Sequence, residues 1–93
     1  MARVDAMLSA VEALADLCLH VTFIDGTSGE VLLKDFLESP QVSGTIFEPL
    51  RDPEVFRQVR VVPGAVTWPN GADLAPDAMY DAIRAHGHWA VDE

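Results

Sequence analysis

Residues 66–80 contain the side chains in this sequence that are best suited to holding a ligand: Trp68, Asn70, Asp73 and Tyr80. A flat aromatic ring beside an amide and a carboxylate can bind a peptide or a small molecule, because the ring stacks while the polar groups form hydrogen bonds. This combination predicts a candidate binding site.

Two local elements would position these side chains. A short apolar strand over residues 65–68 runs into a turn at Asn70 and Gly71, whose residue types supply the positive φ values that other residues resist. Pro76 has its φ preset for the first helical position and no N–H to lose, so a helix should begin there. The sequence therefore predicts one strand-to-helix corner at which the four side chains cluster.

The same residues also have a purely structural interpretation. Asn70 and Gly71 satisfy a tight turn, and Asp73 can accept hydrogen bonds from loop N–H groups. Trp68 and Tyr80 can fill the core with their polar tips hydrogen bonded. Because each residue type has a sufficient backbone or packing reason to be present, the structural interpretation is favoured over the binding site.

Catalysis would need a nucleophile with a base. Cys18 and His20 lie on one face of a predicted strand, which suggests a thiol and imidazole dyad. Their roots would be about 6.5–7 Å apart, however, and a small buried cysteine is the commoner arrangement. We therefore expect no enzymatic activity and no cofactor.

Two groups of side chains resemble metal ligands. Asp77 and Asp81 share one helix face, but such spacing is more often a solvated acidic stripe. His86 and His88 could join Asp92 around zinc, yet histidines at a helix end without cysteines do not complete a four-ligand set. No metal site is expected.

The charge balance indicates the kind of partner. Fifteen acidic residues against six basic ones give a formal net charge of −9, which repels nucleic acid and anionic membranes and attracts basic proteins. Arg51, Arg57 and Arg60 are half of the basic residues, but Asp52 and Glu54 neutralise them locally. We expect a basic protein partner, with no direct nucleic-acid binding and no membrane binding.

Length and composition indicate one domain over residues 1–93. The chain is 49% hydrophobic and 23% charged, as expected for a globular protein. Cys18 is its only cysteine, which suits a reducing cytoplasm, and no apolar run reaches the ~20 residues of a membrane span. With Asp5 close behind Arg3, no secretory signal is visible, so a cytoplasmic location is expected.

Hydrophobic periodicity and turn residues predict the remaining elements. The predicted strands cover residues 17–23, 30–33, 60–62 and 65–68, with a tight turn at Pro63-Gly64 inside the last pair. Three short helices are predicted to begin at Asp35, Pro53 and Pro76, with Asp35 and Asp52 as N-caps for the first two. Gly87 should end the third helix in the left-handed conformation, with His88, Trp89 and the acidic end of the chain outside it or folded back. Residues 85–93, which include the end of that helix, make up the predicted C-terminal tail.

The N-terminal stretch has two interpretations. Between residues 3 and 19, apolar residues recur at helical spacing among good helix formers, which alone would predict an amphipathic helix. Residues 17–23, however, alternate strictly between large apolar residues and other residue types, which is the two-residue period of a strand. A strand there would leave no room for the C-terminal end of the helix.

The residues Trp68, Asn70-Gly71, Asp73, Pro76 and Tyr80, preceded by 50–53 and Phe56, resemble the signature of a bacterial family known as domain of unknown function 2442. The spacing Trp-x-Asn-Gly-x-Asp-Leu-x-Pro-x-x-x-Tyr carries the resemblance, which extends over about residues 7–83. It implies a small α+β domain with an antiparallel sheet, in which residues 7–13 form a first strand paired with 17–23.

Members resembling this chain are often encoded beside a small partner protein, which implies a toxin and antitoxin type of pair. Some also carry an appended helix-turn-helix, for which this chain has no spare residues. The expected fold is α+β, with four to five antiparallel strands and two to three short helices on one face. An open sheet edge would also support a homodimer.

The expected function is that of a non-enzymatic, antitoxin-like protein-binding module. The alternative is a small ligand-binding domain or enzyme that uses the corner of Trp68, Asp73 and Tyr80.

Overall fold

The computed structural model describes residues 7–62 and 65–91, which form seven strands in two sheets and three α-helices. The strands are β1 (Leu8–Leu14), β2 (Cys18–Phe23), β3 (Ser28–Leu32), β4 (Arg60–Val62), β5 (Ala65–Thr67), β6 (Asp73–Leu74) and β7 (His88–Ala90). The helices are α1 (Lys34–Glu38), α2 (Pro53–Phe56) and α3 (Pro76–His86). Short 3-10 turns cover Pro40–Val42 and Glu48–Arg51.

The larger sheet has the strand order β1-β2-β3-β7. Strands β1, β2 and β3 pair antiparallel as two successive hairpins, and β7 adds parallel to β3. Along β2 the side chains of Leu19, Val21 and Phe23 are buried, while the alternating positions are only partly covered. The two-residue period of the sequence therefore places one face of this sheet on the core.

Helix α3 packs on that core face beside β3 and β7. It begins at Pro76 and ends at Gly87, whose φ of +80° is the left-handed C-cap conformation. The approach to β3 is close at Gly29, where an added Cβ would lie 2.7 Å from the Gly87 carbonyl oxygen and 2.8 Å from an Ile83 methyl carbon. Any residue larger than glycine would require α3 or the Gly87 carbonyl to shift.

The smaller sheet has the order β4-β5-β6, with both pairings antiparallel. Helix α2 precedes it and begins as the sequence predicts, because the Asp52 side chain accepts a hydrogen bond from the Glu54 N–H at 2.9 Å. The two sheets and the helices enclose one hydrophobic core, which includes Phe23, Leu37, Phe56, Trp68, Met79 and Ile83.

The α+β class is confirmed, and three local predictions are corrected. Leu8–Leu14 is a strand, so the helical interpretation of this stretch is wrong over its described part and the strand implied by the family resemblance is right. Asp35 does not cap α1, because Leu33 occupies the N-cap position and no side chain bonds there. Helix α2 has four residues, about one turn where two were predicted.

The strand count also differs from the four to five predicted in one sheet. Strand β6 has only two residues, and β7 lies in the segment predicted as a C-terminal tail. Such short strands carry little periodicity, since two or three residues cannot show an alternation. The predicted turn at Pro63-Gly64 lies outside the described residues, as does Asp92.

None of the helices in the described part of the chain has the length and apolar character needed to span a bilayer.

Candidate functional site

The turn of the predicted corner is closed by its own residues. The Gly71 N–H donates to the Trp68 carbonyl at 2.9 Å, and the Trp68 N–H donates to the Ala72 carbonyl at 2.9 Å. The Asn70 Oδ1 accepts from the Ala72 N–H at 3.1 Å, while its Nδ2 donates to the Ile46 carbonyl at 2.9 Å. Gly71 has a φ of +95°, as predicted, whereas Asn70 is not among the described residues with positive φ.

Trp68 belongs to the interior. Its side chain is 1% exposed and stacks in a tilted arrangement on Phe56, with ring centroids 5.9 Å apart. The indole Nε1 donates to the Phe56 carbonyl at 2.9 Å. Its polar tip is thus satisfied inside the core, and no open ring face remains on which a ligand could stack.

Tyr80 ties α3 to the turn between β2 and β3. Its ring is 7% exposed and meets Phe23 edge to face at 5.0 Å, while its hydroxyl donates to Asp25 Oδ2 at 2.5 Å. The Thr27 N–H donates to the other Asp25 oxygen at 2.9 Å. The hydrogen bond from Tyr80 is the largest cause that lowers the pKa of Asp25, and the Thr27 amide adds to it.

Asp73 differs from its three neighbours in the motif. Its carboxylate is exposed on β6, and within the described residues it accepts no hydrogen bond from a loop N–H. The predicted role in tying down loop amides is performed by Asn70 instead. Trp68, Asn70 and Tyr80 bond to three different segments, so the motif links parts of the fold around one core.

Two anchoring residues were not identified from the sequence. Asp25 is the partner of a tyrosine 55 positions away. Arg51 is expected from the sequence to be neutralised by its acidic neighbours, yet its Nε donates to the Leu37 carbonyl at 2.5 Å and its Nη2 to the Ser39 carbonyl at 2.9 Å. No local sequence pattern predicts such bonds, because the two partners are far apart in the sequence and become neighbours only after folding.

The larger sheet has a second face, which α3 does not cover. We call it the outer face and define it by the strand register, which places its side chains in rows across the four strands. One row is apolar and consists of Leu14, Cys18, Leu32 and Ala90. The next row consists of two glutamates and two histidines: Glu12, His20, Glu30 and His88. The side chains of both rows are partly or fully exposed.

A depression of about 630 Å³ lies over the apolar row. Leu14, Cys18, Leu32 and Ala90 all line it, and Val91 extends it beyond β7. Its border carries the carboxylates of Asp16, Glu30 and Asp35 and the ammonium of Lys34. The arrangement suits an apolar group that brings positive charge with it.

Cys18 and His20 do share this face, as the strand pattern predicts, but they lie in different rows. The Cys18 Sγ–H donates to the Leu19 carbonyl at 3.8 Å and not to His20. Partial burial, followed by the nearby Glu30 carboxylate, raises the pKa of the thiol. A raised pKa is the opposite of what activates a nucleophile.

Metal ligation is not supported in the part of the chain that is described. No group of three or more His, Cys, Asp or Glu side chains there is arranged to hold an ion.

Residues 8–85 match a family described as a protein of unknown function, DUF2442, and the chain belongs to this family. No curated protein matches the chain.

A similar solved structure is the crystal structure of "Putative DNA Binding Protein NE0471" from Nitrosomonas europaea. The two chains are 36% identical, with a TM-score of 0.53. The similarity covers 68% of this chain and 39% of that one, so this chain corresponds to well under half of the solved protein.

Proposed function

We propose that this protein is a non-enzymatic protein-binding module whose partner is a basic protein, in a pair of the antitoxin and toxin type. The observation that carries the proposal is the outer face of the larger sheet. It presents partly exposed apolar residues bordered by carboxylates, while the opposite face is filled by the core. Exposed apolar surface with a polar border is typical of interaction sites.

The distribution of charge supports a basic partner. Within residues 7–62 and 65–91, Arg51 pairs with Glu48 and Arg57 pairs with Glu54. The formal net charge of −9 thus leaves a large surplus of carboxylates to steer a cationic protein. A thiol-containing module with this charge is most consistent with the cytoplasm, which we include in the proposal.

The name of the Nitrosomonas protein raises DNA binding as a second function. This chain matches only part of that protein, and its negative charge opposes association with phosphates. The side chains of Arg51 and Arg57 are also engaged by contacts within the fold. For this chain we therefore infer that any link to DNA is made through its protein partner.

Ligand binding at the corner of Trp68, Asp73 and Tyr80 is the weaker alternative. Both aromatic rings are almost fully buried, and their polar tips are hydrogen bonded within the protein. Of the three, only Asp73 offers an exposed polar group.

Co-expression with the basic product of the adjacent gene tests the proposed function. We expect a complex that survives size-exclusion chromatography at low salt and dissociates as salt is raised, because screening removes the attraction between surface charges. A mobility-shift assay with duplex DNA serves as the control and should show no complex for this chain alone. Failure to recover the protein complex at low salt, or DNA binding without it, would reject the proposal.

A further inference from the structure

We propose that the apolar row of the outer face is the docking site for one amphipathic basic helix of the partner, lying across the four strands. The inference rests on the proposed function, because it specifies the surface and the chemistry of that partner. Its first support is the register, which aligns Leu14, Cys18, Leu32 and Ala90 opposite one another, one from each strand.

The dimensions of the row fit a short helix. Three spacings between neighbouring strands make the row roughly 14 Å long, at about 4.8 Å each. A helix rises about 1.5 Å per residue, so roughly ten residues would cover that length. An amphipathic helix has an apolar residue at every third or fourth position, so its apolar side chains form one stripe along the helix. One stripe of this kind matches the single apolar row on the sheet.

The charges beside the row determine the composition of the helix. Adjacent rows on a strand face are two residues apart, about 6.6 Å, so a helix of about 10 Å diameter on the apolar row also reaches the next row. That row contains Glu12 and Glu30, which alternate with His20 and His88, and Asp16 and Asp35 also line the depression. Lys34 is the cation among the residues that line it. Lysine or arginine on the flanks of the helix would therefore meet these carboxylates.

Leu32 is the centre of the proposed contact. It is 40% exposed on a strand that is paired on both sides, although its neighbour Val31 on the opposite face is fully buried. The part of the Leu32 side chain that faces water contributes no hydrophobic stabilisation in the free molecule. Covering it with an apolar side chain of a partner would remove that surface from water.

Cys18 provides a direct measurement, because it is the only cysteine in the sequence and lies in the apolar row. The probe is a stapled helical peptide of about twelve residues, with leucines at i, i+4 and i+7 and lysines on both flanks. The alkylation rate of Cys18 by iodoacetamide is measured with and without this peptide. At ten times its Kd, the peptide should slow alkylation roughly tenfold.

A scrambled peptide of the same composition is the matched control and should leave the rate unchanged at the same concentration. Leu32→Thr keeps a strand-forming residue and should weaken peptide binding roughly tenfold, because it removes one leucine side chain that the peptide would cover. Its control is Ile46→Thr, at an aliphatic residue that is 46% exposed and lies beside the Asn70 turn. Ile46→Thr should leave binding unchanged.

A second pair of variants tests charge without changing packing. Glu30→Gln should weaken peptide binding about two- to fivefold and reduce its salt dependence, as expected for an exposed ion pair. Asp73→Asn removes another exposed carboxylate, at the corner and away from the outer face, and should have no effect on peptide binding. This pair keeps the test valid even if Leu32→Thr proves unstable.

Three results would overturn the inference. Equal protection by both peptides would show non-specific attraction, and loss of binding with Ile46→Thr or Asp73→Asn would place the site at the corner. Protection of Cys18 that rises with protein concentration, without peptide, would show that a second copy covers the face. A stable complex with the basic partner in which Cys18 stays reactive would leave the proposed function intact and reject only this surface.

Discussion

The two faces of the larger sheet differ in their roles: the inner face packs on the core that holds the motif residues, and the outer face is exposed to solvent. The inner face joins the core that contains Trp68 and Tyr80, whose polar tips both hydrogen bond within the protein. The outer face contributes no residue to the motif, yet it exposes an apolar row next to carboxylates. The comparison teaches that the aromatic residues of the most specific motif in this chain hold the fold together. The surface that is free to contact another molecule lies on the outer face instead.

The largest expected effect is at Trp68. Trp68→Ala should lower the free energy of unfolding by about 3–5 kcal/mol, because it empties a buried volume and removes the indole N–H, one of the two donors to the Phe56 carbonyl. Urea denaturation followed by circular dichroism measures the loss. Leu32→Thr on the outer face is the comparison and should cost about 1 kcal/mol or less. Similar losses for both variants would contradict the distinction between the faces.

A sharper comparison uses neighbouring residues of β3 that belong to opposite faces. Gly29→Ala should destabilise the protein by about 1–3 kcal/mol, because its Cβ would overlap the Gly87 carbonyl and Ile83. Ser28→Ala, one position earlier and exposed, should change the free energy of unfolding by less than about 0.5 kcal/mol. Thermal denaturation of both variants measures the difference. A neutral Gly29→Ala would show that α3 can move away from the sheet.

The bond between Tyr80 and Asp25 should give the protein an acid-sensitive contribution to stability. The pKa of Asp25 is lowered from its ordinary value of 3.8, so the contribution is complete above that pH and is lost as pH falls through the folded-state pKa. Tyr80→Phe removes the largest cause of the shift and should flatten the acid limb of stability against pH. Denaturation midpoints of the wild-type protein and of Tyr80→Phe at a series of acidic pH values measure this pH dependence. An unchanged acid limb would assign the pH dependence to other carboxylates.

The smallest effect is expected at Asp73. Because its carboxylate is exposed and forms no hydrogen bond within the described residues, Asp73→Ala should change the free energy of unfolding by less than about 0.5 kcal/mol. Chemical denaturation measures this. Loss of the fold in Asp73→Ala would restore the structural role that the sequence predicted for this residue.

The sequence predicted those elements whose signals are local. The alternation of β2, the Asp52 cap with Pro53, and the limits of α3 at Pro76 and Gly87 all depend on residues within a few positions of one another. In β1 the local signal was misleading. Its good helix formers were overridden by pairing with β2, which a single-strand pattern cannot reveal.

The candidate surface was the least predictable part of the molecule. Each strand contributes only one member to the apolar row, so the row exists only once the register of all four strands is known. The same limit applies to the bond from Tyr80 to Asp25, whose partners are 55 residues apart. The motif residues, by contrast, were predicted to share one corner, and the structure gives three of them separate partners.

The parallel pairing of β7 with β3 has a consequence for synthesis on the ribosome. Residues 88–90 are the last described strand to leave the exit tunnel, although β1, β2 and β3 can form their hairpins well before it. Ala90 completes the proposed docking row only when that strand adds to the sheet. A nascent chain would therefore lack the complete proposed row until residues 88–90 have been translated, which makes the last strand of the described domain the one that finishes this surface.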